Sequence, residues 1–127
     1  MSDEKEFEAL KKELNGTPTQ LLKGMEGVEA VAAAAESDVV LCAISGAACL
    51  GPVLAAAEQG KVLGLANKDS MVVAGPIVLE SARKSGATII PVDSEHSAIF
   101  QCLRSGKHSE VRRIFLTASG GPFRETP

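Results

Sequence analysis

An α/β fold built on a mostly parallel sheet is predicted by three observations in this chain of 127 residues. Strand and helix patterns alternate at short spacing, which is the signature of βαβ units. The strand segments are apolar throughout, as expected where helices cover both faces of a sheet. Aromatic residues are scarce, with four Phe and no Trp or Tyr, so the core must be assembled from Ala, Val, Leu and Ile.

Taken in order, Ser2 is positioned to cap a first helix running through Phe7, Leu10 and Leu14, which Asn15-Gly16 ends. A short strand is expected over 19–22 and an alanine-rich helix over 27–35. Residues 38–44 form a continuous apolar strand, followed by Ser45-Gly46 and a helix over 47–59 that stops at Gly60. The next buried strand covers 61–66 and ends in Asn67-Lys68-Asp69-Ser70. A helix over 71–85 follows, with Gly75-Pro76 as a kink or restart and Gly86 as its end. The strand 88–92, a helix over 97–103 and a strand over 111–116 complete the order.

Composition narrows the function classes. The net charge of −3 offers no basic field, so nothing points to nucleic acid. No apolar run is long enough to span a bilayer, and the charged start Met1-Ser-Asp-Glu-Lys-Glu is not a secretory signal. Cys42, Cys49 and Cys102 lack zinc-type spacing and read as buried free thiols in a reducing compartment. The cytoplasm is the expected location.

The polar residues are gathered at strand ends. Clusters follow the apolar strands at Ser45-Gly46, Asn67-Lys68-Asp69, Asp93-Ser94-Glu95-His96 and Thr117-Ala-Ser119-Gly-Gly121. In open parallel sheets, ligands bind outside the carboxyl ends of the strands, so all four fall at one functional rim. Asp93 and Glu95, at i and i+2, can reach one hard divalent cation, or Asp93 or Ser94 can simply cap the next helix. Lys68 can neutralise a phosphate or polarise a carbonyl, and Asp69 can accept a ribose hydroxyl; a capped helix start beside a solvated lysine uses the same residues. Ser45-Gly46 leaves room for a ligand near helix N–H groups, or serves close strand-to-helix packing. The Gly-rich loop around Ser119 can cradle a phosphate, or be an ordinary turn. His96 is expected to hold Asp93 or Glu95, and His108 to be exposed and inert.

Four stretches carry a family resemblance: Ala43-Ile-Ser-Gly-Ala-Ala48, Leu65-Ala-Asn-Lys-Asp-Ser70, Pro91-Val-Asp-Ser-Glu-His-Ser-Ala-Ile-Phe-Gln101 and Leu116-Thr-Ala-Ser-Gly-Gly-Pro-Phe-Arg-Glu-Thr-Pro127. In order and approximate spacing the chain resembles the 1-deoxy-D-xylulose 5-phosphate reductoisomerases of the non-mevalonate isoprenoid pathway. The resemblance implies a partial Rossmann-like parallel sheet with flanking helices over 1–92, running into the start of a catalytic α+β domain over 93–127. It implies Asp93 and Glu95 as ligands of Mn, Mg or Co, and Lys68, Ser94, Glu95 and Ser119 as contacts of 1-deoxy-D-xylulose 5-phosphate. Lys68 and Glu95 are the implied catalytic residues. Asn67 and Asp69, together with Ala43, Ile44 and Ala47, match positions beside NADPH. The implied chemistry is a skeletal rearrangement assisted by the metal, then hydride transfer from NADPH to give 2-C-methyl-D-erythritol 4-phosphate. A homodimer is implied for the intact family, with a plastid location if the parent is a plant or algal protein.

The chain departs from the family in ways that set further expectations. The Gly-Ser-Thr-Gly-Ser-Ile-Gly cofactor loop is not among its residues, nor is the later His, Asn-Lys pair and Glu of the phosphate and metal site. It therefore reads as an internal fragment, marginally stable and inactive on its own. Asp69 stands where Glu is usual, Cys49 where Gly is usual and Ser97 where Asn is frequent. Two other readings compete: a different metal-dependent α/β phosphosugar enzyme, and a non-catalytic remnant acting as an interaction module.

Overall fold

A computed structural model of the chain describes residues 3–117, 120 and 124–126. Helices α1 (Glu4–Glu13) and α2 (Gly24–Ala33) lead into strand β1 (Val39–Cys42). A single 3-10 turn, Ala47–Cys49, feeds helix α3 (Leu50–Glu58), then strand β2 (Val62–Leu65). Helix α4 (Asp69–Ser85), strand β3 (Thr88–Pro91) and helix α5 (Ser94–Arg104) follow, and a 3-10 turn at His108–Glu110 comes after them. The three strands form one parallel sheet in the order β1-β2-β3, with Val39 opposite Val62 and Val62 opposite Thr88. The predicted α/β class and partial Rossmann-like sheet are thus present.

Sheet order explains which face is covered. Each crossover steps the same way along the sheet, and right-handed crossovers taken in one direction lay their helices on one side. On that side α2 packs on α3 and α3 on α4. The core there is Leu63, Val53, Val78, Cys49, Ala56 and Ala57, all without solvent exposure, with Ile44 and Ile89 packed at its edge. Val39 and Leu41 point the other way and are 64% and 65% exposed. The expectation of helices on both faces is therefore corrected: among the described residues only one face is covered, because an apolar strand reports a buried environment without saying which segment provides it.

Lys61, just before β2, is a buried cation, 6% exposed. Its ammonium donates to the carbonyls of Ala34 and Ser37 and lies 3.1 Å from the Ser37 hydroxyl. Ala34 closes α2 and its carbonyl also accepts the Ser37 N–H, so the lysine ties β2 to the turn that ends the helix.

Several expected elements shift. Asp3, not Ser2, caps α1, its carboxylate accepting from the N–H groups of Lys5 and Glu6; Ser2 lies outside the described residues. Residues 19–22 are not a strand: Leu22 instead packs where a side chain on Gly27 of α2 would stand. Residues 111–116 are not a strand either. Val111, Ile114, Phe115 and Leu116 are exposed, so their β propensity finds no paired neighbour among the described residues. α4 does kink, at Ala74 (φ −143°) two residues before Pro76, and Gly86 ends it in the left-handed region at φ 82°. Cys42 and Cys49 are buried free thiols, whereas Cys102 is exposed, which corrects the third thiol. Burial pushes the Cys42 thiol above its ordinary value. Cys49 sits in ordinary right-handed backbone (φ −74°), so the residue in place of the usual glycine introduces no strain.

Candidate active site

The carboxyl ends of β1, β2 and β3 meet at one rim. A cleft of about 290 Å³ opens there, lined by Ala43 and Ser45 after β1, Ala66, Asn67, Lys68 and Asp69 after β2, and Asp93 after β3. Three of the four polar clusters read from the sequence therefore line or adjoin one cleft, as the parallel-sheet rule requires. The fourth is only partly visible: Thr117 borders a second cleft with Ser94 and Glu95, while Ser119 lies outside the described residues.

The β2 end is tied to the β1 end by side chains. Backbone pairing between the strands continues to Ala66 N–H and Cys42 C=O at 3.0 Å. The Asn67 amide then extends the ladder by donating to Ile44 C=O at 2.5 Å. Its oxygen accepts Asp69 N–H at 2.8 Å, an Asx turn that opens α4. The Asp69 carboxylate in turn accepts Gly46 N–H at 2.9 Å. Gly46 sits at φ 73°, in the region that favours glycine, and a side chain there would meet only open space. Ala43 and Ala47 are exposed beside this turn and Ile44 is half-buried. Sequence reasoning grouped these residues but missed the bonds between them; Asn-x-Asp directly after a buried strand was the available signal.

The β3 end carries the acids. α5 begins at Ser94, earlier than the expected 97, with Asp93 as its N-cap residue in extended backbone. The polar first turn hid this start from apolar spacing. Asp93 makes no side-chain capping bond. Instead its Oδ1 lies 2.9 Å from His96 Nδ1, in position for the holding role expected for the histidine. Its Oδ2 is buried and has no hydrogen-bond partner. A buried carboxylate oxygen without a partner is costly unless a ligand completes it.

Ser94 Oγ donates to Glu95 Oε2 at 2.7 Å. That bond, more than any other cause, holds the Glu95 carboxyl below its ordinary value, with Lys68 and His96 adding attraction. Lys68 is exposed at the start of α4 and close enough for its charge to be felt at Glu95. Lys68, Asp93 and His96 also border an apolar cleft over Leu65, Met71, Ile89 and Pro91. Among the described residues, no group of three or more His, Cys, Asp or Glu side chains could hold a metal ion. No described helix is long and apolar enough to cross a membrane.

The chain is similar to known proteins along nearly its whole length. The family profile described as 1-deoxy-D-xylulose 5-phosphate reductoisomerase matches residues 1–75, and that of the reductoisomerase C-terminal domain matches 89–127. The reductoisomerase of Pseudomonas putida (strain W619) is 55% identical over 117 residues, covering 88% of this chain and 30% of the relative. That of Exiguobacterium sibiricum is 51% identical over 123 residues, covering 97% of this chain and 32% of its own length. The Zymomonas mobilis reductoisomerase, solved in complex with NADPH, superposes with a TM-score of 0.81 at 42% identity, covering 99% of this chain and 33% of that one. A reductoisomerase solved with NADPH, fosmidomycin and magnesium gives a TM-score of 0.73 at 45% identity, over 79% of this chain and 25% of that one. The chain thus spans about a third of the length of these relatives. It belongs to the 1-deoxy-D-xylulose 5-phosphate reductoisomerase family.

Proposed function

We propose that these residues form part of the active site of an enzyme that converts 1-deoxy-D-xylulose 5-phosphate to 2-C-methyl-D-erythritol 4-phosphate. The observation that carries the reading is Asp93 Oδ2, buried without a partner at the rim where the β1 and β2 turns also end. An oriented carboxylate oxygen with open lone pairs fits a hard divalent cation such as Mg, Mn or Co. Glu95, two residues on and held ionised by Ser94, fits as the second ligand. Two carboxylates leave most of an octahedral shell to substrate oxygens, water and groups beyond those described. When bound, the cation supplies Lewis acidity and NADPH supplies the hydride.

The chain's own residues bind and orient. His96 fixes the Asp93 carboxylate through its Oδ1, leaving Oδ2 for the cation. Lys68 brings positive charge to the cleft, where it can neutralise a substrate oxygen or phosphate. Ser94 holds Glu95 and has oxygen lone pairs left for a substrate hydroxyl. Ser119 is proposed on the phosphate side. Ala43, Ile44, Ala47, Asn67 and Asp69 are proposed as the cofactor wall. Residues 1–92 are read as the nucleotide-binding part and 93–127 as the start of the catalytic part. Cytoplasmic location and homodimeric assembly of the intact enzyme are proposed on the same family grounds.

A chimera tests this reading: residues 3–126 of this chain replace the matching stretch of the Pseudomonas putida relative. Substrate-dependent NADPH oxidation is expected in the chimera with magnesium present. It should fall by about a hundredfold in Asp93→Asn, in line with the usual loss when charge stabilisation is removed from a site. The isolated polypeptide should show none. Turnover in Asp93→Asn with unchanged metal dependence would remove Asp93 from the site.

A further inference from the structure

We infer that Asn67 and Asp69 are positioning residues, acting on NADPH chiefly through the shape they impose on the turn after β1. The inference rests on the cofactor reading above and deepens it. The Asn67 side chain is engaged within the protein at both its nitrogen and its oxygen, and one of the two Asp69 carboxylate oxygens is engaged as well. The Asn67 amide bridges Ile44 C=O and Asp69 N–H. One Asp69 oxygen accepts Gly46 N–H. Together they join the end of β2 and the start of α4 to the β1 turn.

The turn needs such a hold. Gly46, at φ 73° and ψ −168°, occupies backbone that glycine reaches freely and leaves as freely. Asp69 fixes the Gly46 N–H and Asn67 fixes Ile44 C=O, on either side of Ser45. Ser45 is exposed and lines the cleft together with Ala43. The open space beyond Gly46 Cα is where a planar or phosphorylated ligand could approach backbone. The wall is thus set before the ligand arrives, which lowers the ordering cost of binding. A shorter acid suits this role, because Asp69 reaches the Gly46 amide directly from the first residue of α4.

Two measurements on the same variants test this. Amide exchange in the 127-residue chain reads Gly46 N–H, and steady-state kinetics in the chimera read kcat and the KM for NADPH separately. Asp69→Ala and Asn67→Ala should each speed Gly46 exchange and raise the NADPH KM by about tenfold, the scale of one net hydrogen bond. The kcat should stay within about threefold, since ground-state and transition-state binding fall together. Asp69→Asn should restore both values, because its carbonyl oxygen still accepts the Gly46 N–H. The inference is overturned if Asp69→Asn protects Gly46 yet binds NADPH as poorly as Asp69→Ala, which would make the charge itself the contact. A freed Gly46 amide with unchanged KM overturns it equally. A wild-type chimera that never oxidises NADPH sinks the cofactor reading and the functional half of this inference with it. Gly46 exchange would still show whether the clamp exists.

Discussion

The β1–α4 layer and the segment after β3 are made from similar residues but held in opposite ways. In the layer, Leu63, Val53 and Val78 are without solvent exposure, and polar side chains stitch the elements together. Lys61 joins β2 to the end of α2, and Asn67 and Asp69 join β2 to the turn after β1. After β3, α5 has no fully buried residue, and Phe115 is 78% exposed. Yet the acids that the metal reading needs lie at the seam between the two. Asp93 is the last residue fixed by the layer, through its N–H on Leu65 C=O, and Glu95 stands on the loosely held helix. A rigid scaffold here presents a site whose second half is weakly anchored, which fits a site completed by groups outside it.

The largest contrast should come from core truncation. Leu63→Ala should destabilise the chain by about 2–5 kcal/mol through lost burial and a cavity. Phe115→Ala should stay within about 0.5 kcal/mol, as for other exposed positions. Urea unfolding of both variants measures the difference, and equal effects would dissolve the distinction between the regions. Next in size is Lys61→Met, which keeps much of the side-chain volume but removes the donors on Ala34 and Ser37. A loss of about 1.5–3 kcal/mol is expected for hydrogen bonds to a charged group. A neutral outcome in the same unfolding assay would mean that the stitching is incidental to the layer's stability.

The smallest effect sharpens the other side of the comparison. Ser94 is the main reason the Glu95 carboxyl lies below its ordinary value. Ser94→Ala should therefore raise the Glu95 midpoint, read by carbon-13 titration of the metal-free chain. The sign follows from the depressed folded value. The Ser94–Glu95 contribution is complete above the ordinary Glu range and disappears as pH falls through the lowered midpoint. An unchanged midpoint would show that the bond is not kept in solution.

Much of the layer was legible because apolar runs stop abruptly at polar residues. Val39–Cys42, Val62–Leu65 and Thr88–Pro91 all lie inside expected strands, and the rim followed from their ends. Legibility failed where an element's identity depends on neighbours. Residues 111–116 have strand-like composition, but a strand exists only when paired. The start of α5 was hidden because its first turn, Ser94, Glu95 and His96, is polar and none of the three is buried in a core. Two carboxylates at i and i+2 after an apolar strand marked Asp93 and Glu95 as acids of interest, and the family resemblance implied their role. Only geometry separated the Asp93 oxygen held by His96 from the one left open.

The most direct test of that open oxygen is manganese titration of the 127-residue chain, followed by paramagnetic broadening of its backbone amides. Broadening should centre on residues 93–96 and reach Lys68, and Asp93→Asn should abolish it while leaving the fold intact. Broadening centred instead on the exposed acids of α1, or unchanged in Asp93→Asn, would contradict a cation site at this rim.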